Sequence, residues 1–204
     1  MNDSLDTLRN TADEELALQS QAGSLPAFQE IVRRFQVPLL RFVRRRTSCL
    51  ADAEDIVQDA LVLGWRKLDQ YSPKYALRTW LFTITYRTWV GSGRRAKLKL
   101  VESDTITQMN ATPPDAEMER AEERGNLWKL AREVLSVDQY SALWLFYVEE
   151  MPASEIGKVM GRSWVSVKTM LHRARKRLGV ALSEGQEFHS SPDAVKRREQ
   201  TASR

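Results

Sequence analysis

The chain has almost no thiol or imidazole from which to build a covalent or metal site. One cysteine, Cys49, stands among 204 residues, which excludes an intramolecular disulfide and fits a reducing cytosol. The two histidines, His172 and His189, have no Cys or His partner at ligand spacing, so metal catalysis is not expected, and no cofactor is read from the sequence. Long apolar runs are missing too. The longest uncharged stretch of the hydrophobic C-terminal half is about Tyr140–Val148, far below the ~20 residues that cross a bilayer, and no membrane insertion is expected. The N-terminus carries Asp3 and Asp6 and no apolar h-region, so it does not read as a secretory signal and a cytoplasmic location follows. What is present suffices for a folded protein: 42% of residues are apolar, excluding a disordered chain or a collagen-like repeat and leaving one or two domains.

Net charge is small, +4 from 31 bases and 27 acids, but it is unevenly spread. Residues 1–30 carry −5, 31–50 carry +6, 51–60 carry −4, and 61–100 carry +8. Residues 101–125 return to −5 and 126–150 to −2, before 151–180 rise to +6 and the last 24 residues balance. Single charge blocks are usually solvated helix faces. Two basic blocks separated by an acidic spacer instead suggest two polyanion-binding modules and a segment that avoids polyanions.

Apolar residues recur at helical spacing throughout and no stretch alternates like a sheet, so the expected class is all-α. Thr11 with Glu14 reads as a capping box for the first helix, and Ser24 before Pro26 opens the second. That second helix carries Phe28, Ile31, Val32, Phe35, Leu39, Phe42 and Val43, with a break or kink expected at Pro38. Asp52 reads as the cap of an amphipathic helix with the buried stripe Ala53, Ile56, Val57, Ala60, Gly64 and Leu68. Residues 71–76 contain Ser72-Pro73 and read as a loop. The helix from Leu77 is aromatic (Trp80, Phe82, Tyr86, Trp89) and should falter at Gly91-Ser92-Gly93. Pro113-Pro114 sits in an aperiodic linker. Ser136 with Gln139 forms a second capping box, Ser154–Met160 a short helix, Gly161-Arg162 a tight turn, and Ser163 the cap of a last helix ending before Gly179. The domain plan is an N-terminal extension with a first helix (1–24), a helical domain (25–99), an acidic flexible linker (100–120), a second helical domain (121–182), and a disordered tail (183–204).

Residues 154–168 have the proportions of a helix-turn-helix: short helix, glycine turn, longer basic helix. At ~100° per residue, Val167, Met170, Leu171, Ala174 and Leu178 point inward, and Val165, Lys168, Thr169, His172, Arg173 and Lys176 point outward. A cationic, hydrogen-bonding outer face suits a helix in the major groove, where Lys reads guanine acceptors and arginines hold phosphates. An ordinary basic surface helix is the bland alternative. Glu155-Ile156-Gly157, Gly161, Ser163, Ser166-Val167-Lys168 and Arg173-Ala174-Arg175 together resemble the promoter-reading C-terminal domain of extracytoplasmic-function (ECF) sigma factors. The resemblance implies recognition of the minus-thirty-five element by Ser166, Lys168, Thr169, His172, Arg173 and Lys176, with Lys168, Thr169 and His172 at base-reading positions. Val165 and Met170 depart from the family's small residue and Arg, so base preference does not carry over.

The first domain resembles the same family. Asp52-Ala53-Glu54-Asp55-Ile56-Val57-Gln58-Asp59-Ala60 is similar to its core-binding helix. On a helical wheel Asp55, Asp59, Val62 and Arg66 share the outer face, flanked by Gln58 and Trp65. Dipole capping accounts for Asp52 but not for Asp59 or Gln58. Exposed acids in a basic domain suit a protein partner, and the resemblance identifies it as the clamp helices of the large subunit of core RNA polymerase, met by Asp55, Gln58, Asp59, Val62 and Arg66. Tyr71-Ser72-Pro73-Lys74-Tyr75-Ala76, followed by Arg78-Thr79-Trp80-Leu81-Phe82-Thr83-Ile84, is similar to the minus-ten loop and the helix after it. Aromatic stacking contributes ~1–3 kcal/mol per base, enough to offset the few kcal/mol that flipping a base costs. The expected minus-ten contacts are Tyr71, Ser72, Lys74, Tyr75, Arg78, Arg87, Arg94 and Arg95, while Trp80, Leu81 and Ile84 read as core. Arg87 and Gly91 stand where the family commonly has Asn and Asp.

The resemblance covers about Phe28–Arg95 and Leu127–Leu178. It implies an alternative sigma factor with no catalytic activity of its own, partnered by core polymerase and by promoter DNA both double-stranded and melted. The same exposed faces would suit an inhibitory anti-sigma protein. Two other classes compete: a stand-alone helix-turn-helix regulator, which should bind an operator unaided, and a nuclease using Asp55 and Asp59, for which no further acids visibly converge.

Overall fold

A computed structural model describes residues 7–44, 46–47, 49–100 and 120–190. Every regular element among the described residues is helical. The chain divides into two compact units, one comprising Met1–Pro113 with Met151–Trp164, the other Pro114–Glu150 with Val165–Arg204.

The first unit contains α1 (Asp13–Gln21), α2 (Leu25–Arg44), α3 (Leu50–Arg66), a 3-10 turn (Leu68–Gln70), α4 (Leu77–Leu100) and the short helix α7 (Ala153–Met160). Its core follows from the helical spacing of apolar residues: Leu16, Ile31, Leu39, Phe42, Val43, Leu77, Leu81 and Phe82 are all buried. Phe42 meets Phe82 edge-on with ring centres 5.3 Å apart, joining α2 to α4. The stripe expected on α3 is buried in full, from Ala53 through Gly64, with Leu68 beyond it. Gly64 faces α4, where a Cβ would make ordinary van der Waals contact with a Leu81 methyl at 3.5 Å. Helix α7 packs against α4, where the Thr79 hydroxyl donates to the Glu155 carboxylate.

The second unit contains α5 (Arg120–Val134), α6 (Val137–Tyr147) and the body of α8 (Trp164–Ser190). Helix α6 opens on the expected capping box: Ser136 accepts from the Gln139 N–H, and Gln139 accepts from the Ser136 N–H at 3.1 Å. The Trp128 ring contacts Tyr140 and Trp144 at centre distances of 5.6 and 5.1 Å, tying α5 to α6.

Four local expectations are overturned, and the break expected at Pro38 does not occur. Thr11 and Glu14 form no capping box: the Thr11 hydroxyl donates to the Thr7 carbonyl, Ala12 precedes the helix, and the Glu14 carboxylate is engaged by the distant Leu77 N–H. Helix α2 runs unbroken through Pro38. An interior proline costs ~3 kcal/mol or more, but burying Phe35, Leu39, Phe42 and Val43 on both sides of it returns ~1.5–3 kcal/mol each. Cys49, not Asp52, caps α3; its sulfur accepts the Asp52 N–H at 3.4 Å, and Asp52 lies in the first turn. Helix α4 continues past Gly91 to Leu100, because a glycine costs only ~1 kcal/mol and extension of an anchored helix is cheap. For the same reason α8 passes Gly179 and reaches Ser190, into the stretch read as a disordered tail. The linker expected at 100–120 falls outside the described residues except at its two ends, the last residue of α4 and the first of α5. No helix among the described residues is long and apolar enough to cross a membrane.

Candidate polymerase and nucleic-acid interfaces

One face of α3 carries the acids. Because 3.6 residues make a turn, burial of Ala53, Ile56, Val57 and Ala60 turns Asp55, Gln58, Asp59, Val62 and Arg66 outward, and all five are exposed. Val62 is 50% exposed and Trp65 40%. Trp65 does not stand alone, since its ring lies 4.6 Å from that of Phe28 on α2. Phe28, one of the residues at helical spacing on α2, is half-buried, and its partner is the exposed tryptophan.

The segment between the 3-10 turn and α4 divides its two tyrosines between different tasks. Tyr75 is 54% exposed, beside the exposed Lys74. Tyr71, expected to stack on DNA, is 4% exposed and belongs to the core. Its ring packs 5.4 Å from Trp80 and its hydroxyl donates to the Tyr75 carbonyl at 2.7 Å. Burial, and then the negative charges of Glu14 and Asp13, push its pKa up to about 12. The Tyr75 N–H donates to the Ser72 carbonyl at 3.1 Å, which completes a turn. Within the same unit the Lys158 ammonium lies 4.5 Å above the Tyr75 ring. Arg78 is half-buried with its guanidinium 5.8 Å from the Phe82 ring, and Arg87 is exposed. Arg94 and Arg95 lie on α4, but their side chains are outside the described set.

Helix α1, to which the sequence reading gives no role, reaches this loop from both ends. The Gln21 side-chain amide donates to the carbonyls of Leu68 at 2.7 Å and Tyr71 at 2.9 Å. The Leu77 N–H at the start of α4 donates to Glu14 at 3.2 Å. Neither contact has a local sequence signature, since the partners are 47 to 63 residues apart.

Upstream of α1 the chain is tied to α2 by one arginine. Arg34 donates to the carbonyls of Leu8, Arg9 and Thr11 and to the carboxylates of Asp13 and Glu30. Glu30 is itself buried and also accepts twice from Arg33, at 2.7 Å each. Those hydrogen bonds hold the Glu30 pKa down at about 2 against the opposing effect of burial. Burial also opposes the charge on Arg34, but its bonds to Glu30 and Asp13 outweigh it and its pKa is raised.

The turn after α7 depends on two glycines. Gly161 adopts the left-handed conformation at φ 65°, which few side chains tolerate. The Arg162 N–H donates back to the Gly157 carbonyl at 2.8 Å, and a Cβ at Gly157 would sit 2.6 Å from the Arg162 carbonyl oxygen. On α8, Val167, Leu171 and Ala174 are buried, with Met170 and Leu178 partly so. Lys168, Thr169, His172, Arg173 and Lys176 are exposed and Ser166 is half-buried. The structure therefore brings the expected outward residues to one face of a helix that is apolar on the other.

Comparison with known proteins agrees with this arrangement. Residues 31–98 match the Sigma-70 region 2 family and residues 130–178 match the Sigma-70, region 4 family. The RNA polymerase sigma factor YlaC of Bacillus subtilis is 29% identical over 167 residues, covering 79% of this chain and 95% of that protein. The RNA polymerase sigma-E factor of Streptomyces avermitilis is 31% identical over 156 residues, covering 76% of this chain and 85% of that protein. A solved structure of CnrH, a sigma factor of Cupriavidus metallidurans, in complex with the cytosolic domain of CnrY aligns with a TM-score of 0.62. That alignment is 25% identical and covers 85% of this chain and 99% of that one. A stand-alone helix-turn-helix regulator would leave the region 2 match unexplained. With region 2 and region 4 in order on one chain and a relative 31% identical over most of its length, the protein belongs to the extracytoplasmic-function family of RNA polymerase sigma factors, which bind core polymerase and promoter DNA to begin transcription.

Proposed function

We propose that this sigma factor assigns its three tasks to three exposed faces. The α3 face, Asp55, Gln58, Asp59, Val62 and Arg66, grips the clamp helices of the large polymerase subunit. Acids on that face are unsuited to DNA, and their clustering on one side of a helix is what a basic protein partner selects. The loop at 71–76 captures melted minus-ten bases, with Tyr75 as the stacking ring and Ser72, Lys74, Arg78, Arg87, Arg94 and Arg95 supplying polar contacts and charge. Tyr71 braces this loop from inside. The outer face of α8 reads the minus-thirty-five duplex through Lys168, Thr169 and His172, while Ser166, Arg173 and Lys176 hold the backbone.

The observation that carries this reading is the segregation of charge by face. The exposed side of α3 is acidic and the exposed side of α8 is basic, although each belongs to an ordinary amphipathic helix. The domain plan that goes with it has region 2 at 25–99, an acidic tether at 100–120 and region 4 at 121–182. The tether's acids Glu102, Asp104, Asp115, Glu117 and Glu119 repel DNA and suit a path through the polymerase along the nascent transcript. The chemistry of RNA synthesis remains with the polymerase; this chain adds no catalytic group, and it acts in the cytoplasm. An anti-sigma protein is a further partner. The support is the CnrH likeness, in a structure that also contains the cytosolic domain of CnrY.

In-vitro transcription with core enzyme on a randomised promoter library tests the whole. Transcripts should appear only when core enzyme and this chain are both present, from templates enriched at two elements of fixed spacing. Tight operator binding by the free chain, without transcription in the presence of core, would refute the reading.

A further inference from the structure

The structure leaves one element that neither family match reaches. Helix α1 spans Asp13–Gln21, whereas the region 2 match begins at residue 31. Yet Gln21 and Glu14 of α1 make three long-range hydrogen bonds, and they bracket the loop assigned to minus-ten capture. At the loop's entrance, the Gln21 amide nitrogen satisfies two backbone carbonyls, Leu68 and Tyr71. Only the NH2 side of an amide can donate to two carbonyls, so these acceptors fix which way the side chain faces. At the loop's exit, Glu14 accepts the N–H of Leu77, the first residue of α4. This satisfies one of the four donors a helix leaves unpaired at its start, and places a carboxylate where the helix dipole favours it. Between the two anchors the loop closes on itself through Tyr71 to Tyr75 and Tyr75 to Ser72. Tyr75 is left exposed.

We propose that Gln21 and Glu14 are positioning residues for the minus-ten loop, and that α1 holds residues 71–76 in the form that captures bases. The inference rests on the reading of that loop as the minus-ten reader. A loop ordered before DNA arrives does not have to be ordered by binding, so the anchors act on capture without touching a base. The Arg34 strap belongs to the same device. By binding the carbonyls of Leu8, Arg9 and Thr11 and the carboxylate of Asp13, it fixes the start of α1, and through α1 the two anchors.

The test uses full-length chain with core polymerase and, as probe, a single-stranded DNA carrying the minus-ten sequence that the wild-type holoenzyme selects from a randomised library. Gln21→Leu removes both donated bonds at similar size. Glu14→Ala removes the acceptor, and Glu14→Gln restores a neutral one. Glu14→Ala should weaken capture of the probe on the order of five-fold, the loss of one net hydrogen bond, and Gln21→Leu, which removes two, by at least as much. Both should also narrow the preference for the selected sequence over base-swapped probes, with affinity for core polymerase unchanged. Glu14→Gln should recover most of the loss, because its side-chain oxygen still accepts from Leu77. Wild-type capture and preference in both disabling variants would overturn the proposal. So would a loss of capture matched by an equal loss of core affinity, which would make α1 a packing element only. Tyr75→Ala separates this failure from that of the loop reading. If Tyr75→Ala captures the probe normally, the loop is not the reader and both ideas fall. If it fails to capture while Gln21→Leu and Glu14→Ala succeed, only the positioning role is lost.

Discussion

The Tyr71 hydroxyl donates to the carbonyl oxygen of Tyr75 across 2.7 Å, so one tyrosine of the loop braces the backbone of the other. The buried ring cannot stack on a base, and the exposed ring can. Tyr71→Phe should keep the ring's packing on Trp80 and lose the bond, costing about 1 kcal/mol. Tyr75→Ala should cost stability only the exposed contact with Lys158, ~0.5–1 kcal/mol, and weaken single-stranded minus-ten binding by ~1–3 kcal/mol. Thermal melting and probe binding by holoenzyme, measured side by side, separate the two. Equal effects of both substitutions on both measurements would contradict the division of labour.

Glu30 makes a pH prediction with a definite sign. Its folded-state pKa of about 2 lies below the ordinary 4.5 because Arg33, and then Arg34, hydrogen-bond the carboxylate. A depressed carboxyl pKa contributes stability that is fully present above pH 4.5 and drains away as pH falls towards 2. Glu30→Gln should therefore be least stable relative to wild type at neutral pH, with the gap closing in acid. Urea midpoints by circular dichroism between pH 7 and pH 2.5 measure it. A gap independent of pH would mean that Glu30 acts through packing rather than charge.

On α3, Asp55→Lys and Asp59→Lys should each reduce affinity for core polymerase while leaving the melting temperature and the minus-thirty-five affinity intact, since both side chains are exposed. Competition against a labelled wild-type chain for core enzyme gives the number. Loss of DNA affinity in parallel would indicate unfolding instead of a lost contact.

Lys168 projects from the exposed face of α8 while its neighbour Val167 is fully buried. Lys168→Ala should cost about 1–3 kcal/mol at one base pair of the minus-thirty-five element and little at promoters already mismatched there. Transcription from a panel of single-base promoter variants distinguishes this from a uniform loss, which would mark a phosphate contact.

Much of this arrangement is legible in the sequence because it is periodic. The buried stripe of α3, the two-sided pattern of α8 and the capping box Ser136–Gln139 are all set by residues within a few positions of one another. What escapes the sequence is set at a distance. Thr11 and Glu14 have the spacing of a cap, but Glu14 is engaged by Leu77, 63 residues on. Tyr71 and Tyr75 look equivalent beside Pro73, and only the packing of Trp80 over one of them tells them apart. Pro38 and Gly91 carry local penalties of ~1–3 kcal/mol, which the sequence displays. The burial that offsets the larger of them comes from other helices.

Gly157 supplies the sharpest structural test of the turn between α7 and α8. An added Cβ would lie 2.6 Å from the carbonyl oxygen of Arg162, and that residue cannot move away freely because its N–H already bonds the Gly157 carbonyl. Gly157→Ala must therefore open the turn or displace α7, at a cost of the 1–3 kcal/mol typical of overpacking. The α3 face lies on a different helix and should be untouched. The expected result is a lower melting temperature and lost minus-thirty-five selectivity, with core-polymerase affinity retained. Wild-type promoter selectivity in the alanine variant would show that the turn has room which the structure denies it.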